Sequence, residues 1–91
     1  MKVKDGFWLR EIAGANVAVP MGERAKRFSG VINLNETGAL LFQKLQNGTT
    51  RQELTQALLD EYDTDAATAE KSVEHFLESL EAAELLIHDE H

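Results

Sequence analysis

The chain has 91 residues, contains no cysteine and carries a formal net charge of −7 at pH 7. A chain of this length buries roughly 60 to 65 per cent of the surface that its unfolded form exposes, which supports one small domain and disfavours a deep enzymatic cleft. The lack of cysteine excludes disulfides, thiolate metal sites and thiol nucleophiles. No apolar run approaches the ~20 residues of a membrane helix, so we expect a cytoplasmic protein without membrane contact.

The charge is unevenly distributed. Residues 1–34 hold six lysines and arginines against three acids, whereas residues 35–91 hold three against thirteen. Binding to phosphates requires a basic surface on the docking element, so the acidic second part disfavours nucleic acid as a partner. The alternative explanation of the acid excess is a solvated helical surface that aids solubility.

The first third of the chain is typical of a small antiparallel sheet. Phe7–Ile12 is rich in strand-forming residues, and the turn residues Ala13–Asn16 return the chain through Val17–Val19 as a β-hairpin. A polar, basic connection over residues 23–29 follows. Val31–Leu34 is then a third strand, and we expect one edge of the sheet to belong to it.

Three helices are predicted next. Asn35 is a good N-cap for a helix over residues 35–46, which ends before a glycine. Thr50 and Glu53 have the spacing of a capping box and predict a second helix over about 50–62.

The third predicted helix is the longest and begins at the cap residue Asp65. Its apolar residues repeat at intervals of four and three and form one stripe, with Leu77 at its side; the stripe consists of Ala69, Val73, Phe76, Leu80 and Ala83. The sequence therefore predicts an α+β fold of order β-β-β-α-α-α in a single domain over residues 1–91. Its sheet spans 5–34, its helices span 35–84, and an apolar tail over 85–91 must dock on the domain.

Catalytic and metal-binding patterns are missing. The histidines, His75, His88 and His91, have no convincing metal-ligand spacing. The acids of 60–65 lack the order of ligands of an EF-hand, and no phosphate-binding glycine motif is present. We therefore expect no catalytic residue, no metal site and no cofactor. A sheet edge beside an amphipathic helix is the arrangement that captures peptides by β-strand addition, although strand and stripe could equally serve the core alone.

The ordered pattern of residues resembles the PqqD family of peptide-modification chaperones, also called RiPP recognition elements. The resemblance covers nearly the whole chain, from Phe7–Arg10 onwards. It is carried by Leu34–Ala39 with Leu41 and Leu45, Gly48–Thr50 with Glu53 and Leu54, Glu61–Asp63, Val73–Leu80, and Leu85–Leu86.

This resemblance implies a winged-helix-like domain without a catalytic residue. In the family, the leader of a ribosomally synthesised precursor peptide adds as a strand to the third strand and packs on the third helix. The precursor is thereby presented to a modifying enzyme, often a radical SAM enzyme. The corresponding edge here is Gly30, Val31, Ile32, Asn33 and Leu34. The corresponding helix wall would come from some of Val73, Phe76, Leu77 and Leu80, flanked by Lys71 and His75.

Two departures from the family pattern bear on this assignment. Glu84 stands where the family usually has glycine before its closing leucines, so we expect the last helix to run further or to dock differently. Lys71 and Ser72 stand near a position where an acid is common, which leaves the charge preference for the leader open.

Two alternative functions remain. The second and third predicted helices form a helix-turn-helix-like pair, which would suit a winged-helix DNA-binding protein, but the third helix carries many glutamates and only one lysine, Lys71. An acidic docking subunit that binds another protein through its helices is the other alternative. A homodimer through the free sheet edge is also compatible with the pattern.

Overall fold

The computed structural model describes residues 1–28 and 30–88, which contain five strands and four helices. The strands are β1 (Lys2–Val3), β2 (Phe7–Ile12), β3 (Ala15–Pro20), β4 (Ile32–Leu34) and β5 (Leu86–Ile87). The helices are α1 (Glu23–Arg27), α2 (Glu36–Gln46), α3 (Arg51–Glu61) and α4 (Ala66–Ala82). The predicted fold class is confirmed: an antiparallel sheet of order β2-β3-β4 precedes the helical unit in a winged-helix-like α+β fold.

The predicted hairpin is present, with a shorter turn than expected. Ile12 pairs with Ala15, so the loop consists of Ala13 and Gly14 alone. Both loop residues have positive φ, 53° and 83°, which defines a type I′ turn. This turn matches the twist of the flanking strands and therefore fixes the register of β2 against β3.

The polar, basic connection after the hairpin is partly helical, which the sequence did not predict. Gly22 takes a φ of 58° and redirects the chain into α1. Within this short helix, Lys26 forms an ion pair with Glu23 at 3.2 Å. A helix of five residues has too little periodicity to be recognised from its sequence.

The capping residues of the three main helices act as predicted. The side chain of Asn35 accepts a hydrogen bond from the Gly38 N–H at 2.7 Å at the start of α2. Thr50 and Glu53 form the capping box of α3. The Asp65 side chain accepts from the backbone N–H of Thr68 at the start of α4, and the hydrogen bonds from the backbone and the side chain of Thr68 lower the pKa of Asp65.

Of the two expectations for Glu84, the one of a longer last helix is wrong. The helix stops at Ala82, and Glu84 has a φ of 60°. The Glu84 N–H donates to the Glu81 carbonyl and the Leu85 N–H donates to the Leu80 carbonyl, both at 2.9 Å. These two bonds form a Schellman motif, in which Glu84 occupies the left-handed position that glycine normally takes.

The apolar tail docks as a strand, as far as it is described. Beyond the Schellman turn, β5 pairs antiparallel with β1, joining Lys2 to Ile87 and Val3 to Leu86. The two ends of the domain therefore form a second, two-stranded sheet that the sequence did not predict. Asp89 to His91, and with them one of the candidate histidines, lie outside the described residues.

The hydrophobic core lies between the three-stranded sheet and the helices, and it corrects the predicted stripe of α4. Leu77 is 1% exposed and belongs to the core together with Val73 and Leu80. Phe76 is only partly buried and Ala83 is exposed. Because α4 is rotated relative to the predicted stripe, Phe76 faces the side of the helix that adjoins β4.

Candidate functional site

The direction of the backbone groups of β4 follows from the register of the sheet. Ile12 and Ala15 close a two-residue type I′ hairpin, and such a closing pair is hydrogen-bonded. Hydrogen-bonded and non-hydrogen-bonded positions alternate along an antiparallel strand. Val17 therefore bonds to β2, whereas Asn16 and Ala18 direct their backbone groups towards β4.

Asn33 is the β4 residue whose backbone groups point to the open edge of the sheet. Leu34 pairs with Asn16, and Ile32 pairs with Ala18, so these two residues direct their N–H and C=O groups at β3. Asn33 lies between them and directs its backbone groups the other way. No strand in the described part of the chain pairs with this edge. Asn33 therefore presents one backbone donor and one acceptor to an incoming strand.

The side chains of β4 divide between the two faces of the sheet. Ile32 and Leu34 are half-buried and pack against the core, whereas Asn33 is exposed on the opposite face. Val31, which the prediction included in this strand, precedes it and is 48% exposed. Gly30, just before it, has a φ of 87°.

A groove of about 250 Å³ lies beside the open edge, between β4 and α4. One wall is formed by the half-buried residues of β4. The other wall comes from α4 and the turn that follows it. The lining residues are Ile32, Asn33, Leu34, Asn35, Gly38, Phe76, Ser79, Leu80, Ala83 and Leu85.

Phe76 can form this wall because α2 and α4 approach closely at Gly38. A methyl group added at Gly38 would lie 3.0 Å from Asn35 Oδ1 and 3.3 Å from the Phe76 ring. It would also lie 3.5 Å from the Leu34 side chain. Glycine fits this close approach, whereas a larger residue would require the helix cap or the ring to shift by a few tenths of an ångström.

A second compartment of about 210 Å³ adjoins the groove and shares with it the lining residues Asn35, Gly38, Phe76 and Ser79. We call the part beside β4 the apolar compartment and this second part the polar compartment. The polar compartment lies between the first turn of α2 and the middle of α4. Its lining residues are Asn35, Thr37, Gly38, Leu41, Ser72, His75, Phe76 and Ser79.

The structure brings together most, but not all, of the predicted site residues. The β4 residues Ile32, Asn33 and Leu34 line the apolar compartment with Phe76 and Leu80, and His75 lines the polar one. Gly30 and Val31 precede the strand. Of the four candidate wall residues, Val73 and Leu77 are each 1% exposed, line neither compartment and support the wall from the core. Lys71 is exposed and lines neither compartment.

Sequence reasoning missed the residues that reach the groove from outside the strand and the stripe. Asn35 was predicted only as a helix cap, and Thr37, Gly38, Ser72 and Ser79 were not predicted as site residues. The signal that could have found the two serines is their helical spacing with Phe76, since positions three and four apart share a face.

Neither a metal site nor a membrane-spanning helix is present among the described residues. Residues 1–28 and 30–88 contain no group of three or more histidine, aspartate or glutamate side chains that could hold a metal ion. In the same part of the chain, no helix is long and apolar enough to cross a membrane.

Fold and groove together define a winged-helix-like α+β domain with an open strand edge beside a helix-walled groove. The sequence profile of the family described as coenzyme PQQ synthesis protein D (PqqD) matches residues 18–86. The chain belongs to the PqqD family.

Solved structures share this fold. TbiB1 in complex with the TbiA(beta) leader peptide is 24% identical, with 100% of both chains covered and a TM-score of 0.74. Lasso peptide synthetase B1 complexed with the leader peptide is 20% identical, with 96% of both chains covered and a TM-score of 0.71. No curated protein sequence matches the chain.

Proposed function

We propose that this domain binds the leader of a ribosomally synthesised precursor peptide as a fourth strand of its sheet and presents the precursor to a modifying enzyme. The observation that carries the proposal is the open edge of Asn33 beside a groove walled by Phe76 and Leu80. Membership of the PqqD family supports it. So does the fact that both similar structures were solved with a leader peptide.

The edge and the groove would contribute different parts of the affinity. The backbone N–H and C=O of Asn33 would form two hydrogen bonds with the residue opposite, which set the register of the peptide. Peptide residues opposite Ile32 and Leu34 would point to the same face of the sheet as these two side chains, and therefore into the groove. Burying a large apolar side chain there contributes roughly 1.5 to 3 kcal/mol.

The proposed role is non-catalytic. Among the described residues, the two compartments of the groove contain a single ionisable side chain, His75, with no acid beside it to orient the ring for proton transfer. The modification itself would belong to the partner enzyme, for which a radical SAM protein is the family precedent. The cytoplasmic location and a homodimer through the β4 edge stay predictions from the sequence.

Amide exchange during peptide titration tests the proposal. Where a short precursor-like reading frame neighbours this gene, a synthetic peptide covering its leader is the probe, added to ¹⁵N-labelled protein. The amide of Asn33 should exchange quickly in the free protein and become protected on binding, whereas Ile32 and Leu34 should be protected in both states. Shifts confined to α2 and α3 would instead identify an acidic docking subunit and contradict strand addition.

The DNA-binding alternative can be tested separately. The pair α3 and α4 has the order of a helix-turn-helix, yet α4 carries Glu70, Glu74, Glu78 and Glu81, all exposed. These charges would face phosphates with repulsion. A gel shift with random duplex DNA at low salt should show no complex. A salt-sensitive complex there would favour the nucleic-acid function.

A further inference from the structure

The polar compartment is lined by several side chains whose hydrogen-bonding groups are not used within the described fold. The Thr37 and Ser72 hydroxyls and the His75 ring have no hydrogen-bond partner within residues 1–28 and 30–88. The Asn35 side-chain oxygen accepts from Gly38, which leaves its amide nitrogen free to donate. Four side chains that can donate hydrogen bonds therefore adjoin one small cavity.

No carboxylate from the described part of the chain lines either compartment, although the sequence contains 16 acids. None of the α4 glutamates lines either compartment. Glu74 pairs with Arg51 of α3 at 2.5 Å, and Glu81 contacts His88. The lining of the groove thus contains no carboxylate from the described residues, although the helical unit is acidic, and the positive end of the α2 dipole adjoins the polar compartment.

The geometry of strand addition relates the two compartments to positions on a bound peptide. Side chains of a strand that point to one face are two residues apart, which corresponds to about 7 Å. Peptide residues opposite Ile32 and Leu34 would occupy the apolar compartment. The next residue of the same face, beyond Leu34, would pass the Phe76 ring and reach the polar compartment.

We propose that the polar compartment binds a carboxylate side chain of the captured peptide, two residues beyond the peptide residue that packs against Leu34. This inference rests on the proposed function. The donors would come from His75, Thr37 and Ser72, since charge-assisted hydrogen bonds to a carboxylate are stronger than those to a neutral amide. A lysine at the same position would find no carboxylate among the described residues that line the compartment. The site would therefore select for acidic residues and against basic ones.

A selection from random peptides tests this specificity and requires no leader sequence. An mRNA-displayed library of random 14-residue peptides is selected on the immobilised wild-type domain and on the variant Thr37→Val/Ser72→Ala/His75→Ala. Wild type should enrich peptides with an acid two residues from an apolar position, and the triple variant should enrich the apolar positions only. Gln43→Ala, an exposed change on α2 outside both compartments, is the matched control and should select like wild type.

Affinities of one enriched peptide give the quantitative test. In fluorescence anisotropy, exchanging its acid for glutamine should weaken binding to wild type by about 3- to 10-fold, and exchanging it for lysine should weaken it further. In the triple variant both exchanges should change affinity less than about twofold. The single variant His75→Gln, which alters only one exposed side chain, should show an intermediate preference and serves if the triple variant folds poorly.

The outcomes separate this inference from the function on which it rests. Peptides that protect the Asn33 amide but show no preference for acid would overturn the carboxylate site and leave strand addition standing. An acid preference that persists unchanged in the triple variant and in His75→Gln would also overturn it. If no enriched peptide protects the Asn33 amide, both the inference and the proposed function fail.

Discussion

A proline at position 33 should weaken peptide binding while it leaves the fold intact. Asn33 directs its backbone N–H to the open edge, so Asn33→Pro removes a donor that the sheet itself does not use. The preceding residue, Ile32, is already in a strand, which is the conformation that proline requires before it. We expect a folded variant that cannot accept a fourth strand.

The expected loss follows from the hydrogen bond and from the proline ring. A peptide carbonyl left without its donor costs about 1 to 3 kcal/mol. The ring also occupies the space of the amide hydrogen and displaces the incoming strand, which weakens the bond to the Asn33 carbonyl as well. A total of roughly 2 to 4 kcal/mol corresponds to a 30- to 1,000-fold weaker dissociation constant. The free energy of unfolding should change by no more than about 1 kcal/mol, because no bond between β3 and β4 is lost.

Two matched variants complete the assay. Isothermal titration with the leader peptide measures affinity, and urea unfolding measures stability. Asn33→Ala retains the backbone donor and should bind within about threefold of wild type. Ile32→Pro removes an amide that bonds to β3 and should lower the free energy of unfolding by about 1 to 3 kcal/mol. Wild-type affinity in a folded Asn33→Pro variant would refute strand addition at this edge, and a larger stability loss in Asn33→Pro than in Ile32→Pro would refute the assigned direction of the backbone groups.

Further predictions concern the groove wall, the helix ends and pH. Phe76→Ala should weaken peptide binding at least tenfold with a small loss of stability. Leu77→Ala, at a position 1% exposed, should cost about 2 to 5 kcal/mol in urea unfolding while the folded fraction binds normally. Gly38→Ala should destabilise by up to about 2 kcal/mol, because overpacking against the cap oxygen and the ring outweighs the helical preference of alanine; a more stable variant would contradict this packing argument. Glu84→Gly should stabilise by about 1 kcal/mol and raise Tm by several degrees, since it relieves a φ of 60°; a lower Tm would show that the side chain has another role. The lowered pKa of Asp65 means that its contribution to stability is complete above about pH 4 and is lost as pH falls through the folded value. The stability difference between wild type and Asp65→Asn should therefore be constant at higher pH and change only below about pH 4, as measured by urea midpoints.

The features that the sequence alone determined depend on neighbours within a few residues. The caps at Asn35, Thr50 and Asp65 each involve a backbone amide three residues ahead, so they could be recognised from spacing. The strands of the hairpin were recognisable from composition. Phe76 and Leu80 were predicted as wall residues and do line the groove.

The rotation of α4 about its axis was decided by tertiary packing. Two adjacent residues, Phe76 and Leu77, are both compatible with an apolar stripe. The pattern favoured Phe76 for the core, whereas the structure buries Leu77 there. The choice depends on what the sheet and α2 present to the helix, above all the close approach at Gly38. The β1 and β5 pairing is equally non-local, since it joins residues from opposite ends of the chain.

In the candidate site too, some features follow from local sequence and others from tertiary packing. The sequence by itself determined that β4 runs into a capped helix, because strand and cap are local features. Only the tertiary structure decided that Asn33 directs its backbone outward, since this follows from a two-residue turn near Ala13 and from pairing across two strands. Only the tertiary structure brought the donors of Thr37 and Ser72 together, because they belong to helices separated in sequence and joined by packing.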